Sequence, residues 1–162
     1  MALAEGVFPV VAGLRLAAAD VAARGAHPQV EVAAAVLAAI GAGTVTYVAT
    51  SGTGWPGAFI EYQLVGGPYR GRHVYYAEGV RPAEGLHVGQ TIRSGQAIAT
   101  IIRDYPTGIE IGWGAAAATT IYAAARHQWN DTDDADNIPS AAGRSFSALI
   151  ESLGGPPGKV EG

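Results

Sequence analysis

Cysteine is absent from this 162-residue chain. That excludes disulfides, thiolate zinc sites, iron–sulfur clusters and cysteine nucleophiles, and it leaves the redox compartment open. Lysine is nearly absent too. Lys159 is the only one, against arginines scattered from Arg15 to Arg144 with no basic run. Affinity for phosphate backbones rests on a clustered basic face, so nucleic-acid binding is not expected. Charged residues make up 15% of the chain and the net charge is −4. Long apolar runs are missing as well. The stretches 7–19 and 30–43 are broken by Arg15 and Glu31 and fall short of the roughly 20 residues needed to cross a bilayer. No basic residue precedes Arg15, so the start does not read as a secretory signal. Extracellular, cell-envelope and virion settings all stay compatible.

What is present is a folded composition. Hydrophobic residues reach 49%, too many for a disordered chain of this charge. The length fits about one domain. Residues 9–24 read as a helix stopped by Gly25. From 30 to 113 the chain carries Val, Ile, Thr and Tyr in short runs cut by Gly and Pro, a β signature. Strands are expected over 43–50, 58–64, 72–77, 91–92, 97–102 and 107–112, with 33–40 open between helix and strand. Gly52-Thr53-Gly54-Trp55-Pro56-Gly57 reads as a tight loop between two strands. Val88-Gly89-Gln90 and Ser94-Gly95-Gln96 read as two glycine turns around a very short strand. The small-residue run 115–125 is expected to be helical, and 131–136 an acidic loop that lacks the Gly and Glu positions of a calcium-binding EF-hand. Ser140 can cap a last helix with Phe146, Leu149, Ile150 and Leu153 at i, i+3, i+4 and i+7.

Tyr75-Tyr76-Ala77-Glu78, Leu86-His87-Val88-Gly89-Gln90, Arg93-Ser94-Gly95-Gln96 and Gly108-Ile109-Glu110-Ile111-Gly112-Trp113 come in an order and spacing that resemble one family. They look like the core of the lysostaphin-type (LytM-like) zinc metallopeptidases. Gly41-Ala42-Gly43-Thr44-Val45 resembles that family's Gly-x-Val strand, and His27-Pro28-Gln29-Val30-Glu31 falls where its HxxxD is expected. The resemblance covers about 27–113. It implies a mainly β fold: a duplicated hybrid motif, or barrel-sandwich hybrid, here with flanking N- and C-terminal helices. It divides the chain into a helical N-terminal segment (1–26), a LytM-like β domain (27–114), a helical C-terminal extension (115–154) and a flexible tail (155–162).

The chemistry departs from the family. By the resemblance His27 matches the first metal-binding histidine, and Glu31 stands at the metal-binding aspartate. Glu78 and Glu110 replace the two catalytic histidines, and Gly112 replaces a zinc-binding histidine. Glycine has no side chain to ligate, and a catalytic zinc needs three protein ligands plus an open position. The expectation is therefore a degenerate, non-catalytic module without a cofactor. It would bind cell-wall glycopeptide (peptidoglycan) or a protein partner, as a homo-oligomer or as part of a larger phage or envelope assembly. One alternative is a zinc endopeptidase with His27 and Glu31 on the metal and Glu110 or Glu78 as general base. Another is a glycan-cleaving groove built from Glu31, Glu78 and Glu110, since two carboxylates suffice for glycoside hydrolysis.

Read from the residues alone, strand alternation over 108–113 puts Ile109 and Ile111 on one face and Glu110 and Gly112 on the other. That suits a groove wall or an open, solvated sheet face. Trp55, Trp113 and Tyr76 are the candidates for ligand contact, Trp55 foremost because it sits in a Gly/Pro loop. His73 and His87 read as structural and His127 as surface. A biotinyl or lipoyl carrier, which has similar Gly-Gln turns, needs a hairpin lysine that is missing here.

Overall fold

The structure is a computed structural model that describes residues 36–106, 108–117, 119–120 and 141–154. It is mainly β, with two antiparallel sheets and a C-terminal helix. The strands are β1 (Val36–Ala38), β2 (Gly43–Ala49), β3 (Ala58–Leu64), β4 (His73–Glu78), β5 (Val80–Pro82), β6 (Thr91–Ile92), β7 (Ala97–Ile101) and β8 (Ile109–Gly114). Helix α1 covers Ala141–Ser152. One sheet runs β6-β2-β3-β4-β8, the other β1-β7-β5.

Alternation along the central strands sorts the side chains. Ala58, Ile60, Tyr62 and Leu64 of β3 join Val74 and Tyr76 of β4 and Trp113 of β8 in the main core. The smaller sheet contributes Leu37, Val80, Ile98 and Ala99 to the same cluster. Each such aliphatic or aromatic side chain gains about 1.5–3 kcal/mol on leaving water. The intervening residues Phe59, Tyr75 and Ala77 form a second, separate cluster on the opposite face of the five-stranded sheet.

Helix α1 closes the main core as its spacing predicts, through buried Ala142, Phe146, Leu149 and Ile150. Phe146 meets Trp113 edge-on at 5.1 Å, and the Trp113 indole donates to Ser145 Oγ at 2.8 Å. Leu153 stays about half exposed, because the helix ends at Ser152 and Gly154 turns left-handed.

The two Gly-Gln turns are built alike. In each, the glycine has positive φ, as the third position of a type II turn requires (86° at Gly89, 76° at Gly95). Gln90 N donates to His87 O, and Gln96 N donates to Arg93 O. Each glutamine's Oε1 accepts from the backbone N three residues back, His87 or Arg93. The first turn is clipped to Val45 by bonds from Gly89 N to Val45 O and from Val45 N to Gln90 O. The second is clipped to Ala39 by the equivalent pair, Gly95 N to Ala39 O and Ala39 N to Gln96 O. The same unit is thus used twice, six residues apart on both partners.

Three expectations need correction or completion. The open stretch 33–40 contains strand β1, paired with β7 through Val36, Leu37 and Ala38. Strand β5 was not anticipated. Its Pro82 is tolerated because β5 is an edge strand, where a missing donor costs little. The described part of 115–125 is a turn, not a helix. Ala115 N donates to Thr120 O, Thr120 N donates to Ala117 O, and Ala116 and Thr119 are left-handed (φ 61° and 64°). The expected N-terminal helix, the acidic loop, Ser140 and the tail lie outside the described residues.

Candidate binding face

The second face of the five-stranded sheet carries the polar chemistry. Register across β3, β4 and β8 aligns Glu61 with Tyr75 and Gly112, His73 with Gly114, and Phe59 with Ala77 and Glu110. Glu61 is 3% exposed, the one buried charged side chain among the described residues. Burying a carboxylate is costly unless it is well hydrogen-bonded. Here its Oε1 accepts from Thr46 Oγ1 at 2.8 Å and from His73 Nδ1 at 3.0 Å, and its Oε2 accepts from Ala116 N at 3.3 Å.

Two backbone features make room for this arrangement. The β2–β3 register skips Thr46, pairing Val45 with Tyr62 and Tyr47 with Glu61. Such a bulge re-aims a side chain, and this one brings the Thr46 hydroxyl to the carboxylate. Opposite, Gly114 leaves the space that the carboxylate fills. A Cβ there would lie 2.1 Å from Glu61 Oε2.

Beside this network lies a second pair. The Tyr75 hydroxyl donates to Glu110 Oε1 at 2.5 Å. Burial pushes the Tyr75 phenol well above its ordinary pKa, and the Glu110 charge, the hydrogen bond to Glu110 and the Glu78 charge add to the shift. The Tyr75 ring stacks on Phe59 at 5.3 Å with planes 2° apart, and its edge covers Gly112, where a Cβ would meet Tyr75 Cε1 at 3.0 Å. Trp55 lies over both rings, 5.6 Å from Phe59 and 5.9 Å from Tyr75. Tyr47 meets Phe59 edge-on at 6.0 Å. Trp55 is held by its loop: buried Thr53 accepts from Trp55 N at 3.0 Å and donates to Gly57 O at 3.1 Å.

The residues singled out from the sequence divide into groups. Glu110 accepts from the Tyr75 hydroxyl, and the charges of Glu110 and Glu78 both raise the Tyr75 pKa. Glu78 ends β4, half-buried, with φ 69°. Trp55 is not a free contact, since its Nε1 donates to Thr119 O at 2.9 Å. Tyr76 and Trp113 are core residues, 0% and 3% exposed, and neither ring offers a face to a ligand. Tyr76 instead donates to Ala38 O, and Trp113 is sandwiched among Tyr69, Phe146 and Arg72. His27 and Glu31 lie outside the described residues. Among the described residues no three His, Asp or Glu side chains gather as a metal site.

Sequence reasoning missed Glu61 and Thr46; it read His73 as structural but did not find its partner Glu61. A signal existed. Once 58–64 and 72–77 are paired as a hairpin, alternation puts a glutamate and a histidine on one face beside Phe59 and Tyr75, where neither can stay unpaired. No family model matches the chain, and no curated protein or solved structure matches it either.

Proposed function

We propose that this chain is a non-catalytic LytM-like module of the duplicated hybrid type, with its two sheets packed as a sandwich. It binds a peptide-bearing partner, cell-wall glycopeptide or protein, within a larger assembly, and uses no metal. The observation that carries the reading is the covering of Gly112. By the resemblance this position would hold a zinc ligand. Here the ring of Tyr75 lies over it, and the phenol is bonded to Glu110, which stands where a catalytic histidine is expected. A glycine cannot ligate, and a histidine side chain would have to displace a buried aromatic ring to do so. The repeated Gly-Gln unit supports the duplicated motif, since one turn geometry is anchored in the same way to Val45 and to Ala39.

The zinc endopeptidase alternative needs a third ligand besides His27 and Glu31. The glycan-cleaving alternative needs one free acid and one free base, whereas Glu110 is engaged by Tyr75. Calorimetric titration of the metal-free full chain with zinc separates the readings. The proposal expects no tight one-to-one uptake, and no difference between the parent and His27→Ala. Tight stoichiometric binding lost in His27→Ala would overturn it in favour of the peptidase.

A further inference from the structure

The two Gly-Gln turns share more than their backbone. In each, a main-chain N–H donates to the glutamine Oε1, from His87 to Gln90 at 3.2 Å and from Arg93 to Gln96 at 3.0 Å. An N–H needs an oxygen as acceptor, so these bonds fix which way each amide is turned. The Nε2 end of each side chain is left as a donor with no bond to a described residue. Gln90 and Gln96 line one open cleft of about 550 Å³, whose other walls are Thr91, Arg93, Ser94 and Gly95. That size lies within the usual range of ligand clefts, roughly 300–1,000 Å³. The charge around the cleft is one-sided. Residues 85–103 hold Arg93 and Arg103 and no acid, in a chain of net charge −4. Residues 36–50, which clip both turns, carry no charged side chain.

We propose that this cleft is a carboxylate-binding subsite, and that its ligand is the free carboxylate of a peptide. Arg93 supplies the charge. A guanidinium and a carboxylate match in a planar, two-bond arrangement, which suits arginine to this ligand. The amide nitrogens of Gln90 and Gln96 and the hydroxyls of Thr91 and Ser94 supply neutral donors beside it. An ionised carboxylate accepts hydrogen bonds and donates none, so a donor-rich wall fits it better than it fits an amide or a cation. The ligand does not have to order these donors. The glutamines are already held by the N–H groups of His87 and Arg93, and their turns are clipped to Val45 and Ala39. Such preorganisation lowers the cost of binding. The cleft also opens beside β6, an outermost strand of the five-stranded sheet. An extended peptide can lie along such an edge with its terminus in the cleft. The peptide as carrier rests on the binding-module reading above; the carboxylate chemistry does not.

The test is an NMR titration of the full chain labelled with 15N. The probes are acetyl-Ala-Ala, which ends in a free carboxylate, the same dipeptide amidated, and sodium acetate. The signals followed are the side-chain amides of Gln90 and Gln96 and the Nε–H of Arg93. Acetyl-Ala-Ala should shift all three saturably at millimolar concentration, and the amidated form should not. Arg93→Gln should weaken this binding about tenfold, the effect of losing one charge-assisted contact. Arg103→Gln should leave it unchanged, because Arg103 does not line the cleft. Both arginines are exposed, so both variants should keep the fold. No saturable shift, equal shifts from acid and amide, or equal weakening by the two variants would overturn the subsite. Acetate should bind more weakly than the dipeptide at the same three signals. Acetate binding as tightly as the dipeptide would overturn the peptide as carrier. Zinc uptake tests the non-catalytic reading separately and has no bearing on these shifts.

Discussion

Replacing Gly114 by alanine should damage this fold far more than its size suggests. The added methyl would lie 2.1 Å from Glu61 Oε2, 2.9 Å from Cδ and 3.1 Å from Cγ. The contact is with the carboxylate itself, so the side chain must leave its place between Thr46, His73 and Ala116. A hydrogen bond to a charged group contributes about 1.5–3 kcal/mol, and losing two of the three gives roughly 3–6 kcal/mol. That is a large part of an ordinary domain's stability of about 5–15 kcal/mol. Gly112→Ala is the control. Its methyl meets only the edge of Tyr75 at 3.0 Å, and overpacking of that kind costs about 1–2 kcal/mol. Urea unfolding followed by tryptophan fluorescence and circular dichroism gives both values. With a slope of about 2 kcal/mol/M, the Gly114→Ala midpoint should fall by about 2 M. The cause can be isolated with Glu61→Ala. If the methyl acts through the carboxylate, the double variant is much less destabilised than the two single effects would add to. A Gly114→Ala midpoint within error of Gly112→Ala, or strict additivity with Glu61→Ala, would refute the reasoning.

Other expectations follow from the same contacts. Thr46→Val keeps the shape of the bulge but removes a donor to buried Glu61, so unfolding experiments should show a loss of about 1.5–3 kcal/mol. Phe146→Ala removes the aromatic anchor of α1 against Trp113 and should cost about 3–5 kcal/mol, with increased solvent exposure of tryptophan in the fluorescence spectrum. Burial pushes Tyr62 up to about 12, and Tyr75 and Tyr76 well above the usual phenol range. A raised folded-state value adds stability below the ordinary phenol pKa of about 10 and loses it as pH rises towards the folded values. Denaturation series above pH 10 should therefore show stability falling by about 4 kcal/mol per pH unit for the three groups together. In the same window, absorbance near the phenolate band should show these tyrosines ionising only as the protein unfolds.

Much of the β framework was legible because alternation and glycine turns are local signals. Strand β3 matches its predicted span, as does the two-residue β6 between the Gly-Gln turns. The amphipathic spacing of α1 foretold Phe146, Leu149 and Ile150 as its buried face. The errors came where long-range pairing overrides local preference. The alanines at 115–117 favour helix intrinsically, yet bonds to Glu61 and between Ala115 and Thr120 hold the chain in left-handed turns. Tyr76 and Trp113 looked like contact residues because aromatic type says nothing about which sheet face is covered. Their faces are set by the smaller sheet and by α1. Trp55 was rightly placed in a loop, but its partner lies 64 residues away in sequence. The Glu61–His73 pair was hidden for a related reason. It needs strand register, and the carboxylate's fit depends on a bulge at Thr46 and a glycine at 114 that only pairing reveals.

The most direct test of the central claim is a crystal structure grown with millimolar zinc, with anomalous data collected at the zinc edge. The account predicts the Tyr75 ring over Gly112, its hydroxyl on Glu110 and no anomalous peak on that sheet face. A peak there, ligated by His27, Glu31 and a third side chain, with Tyr75 swung away, would contradict it.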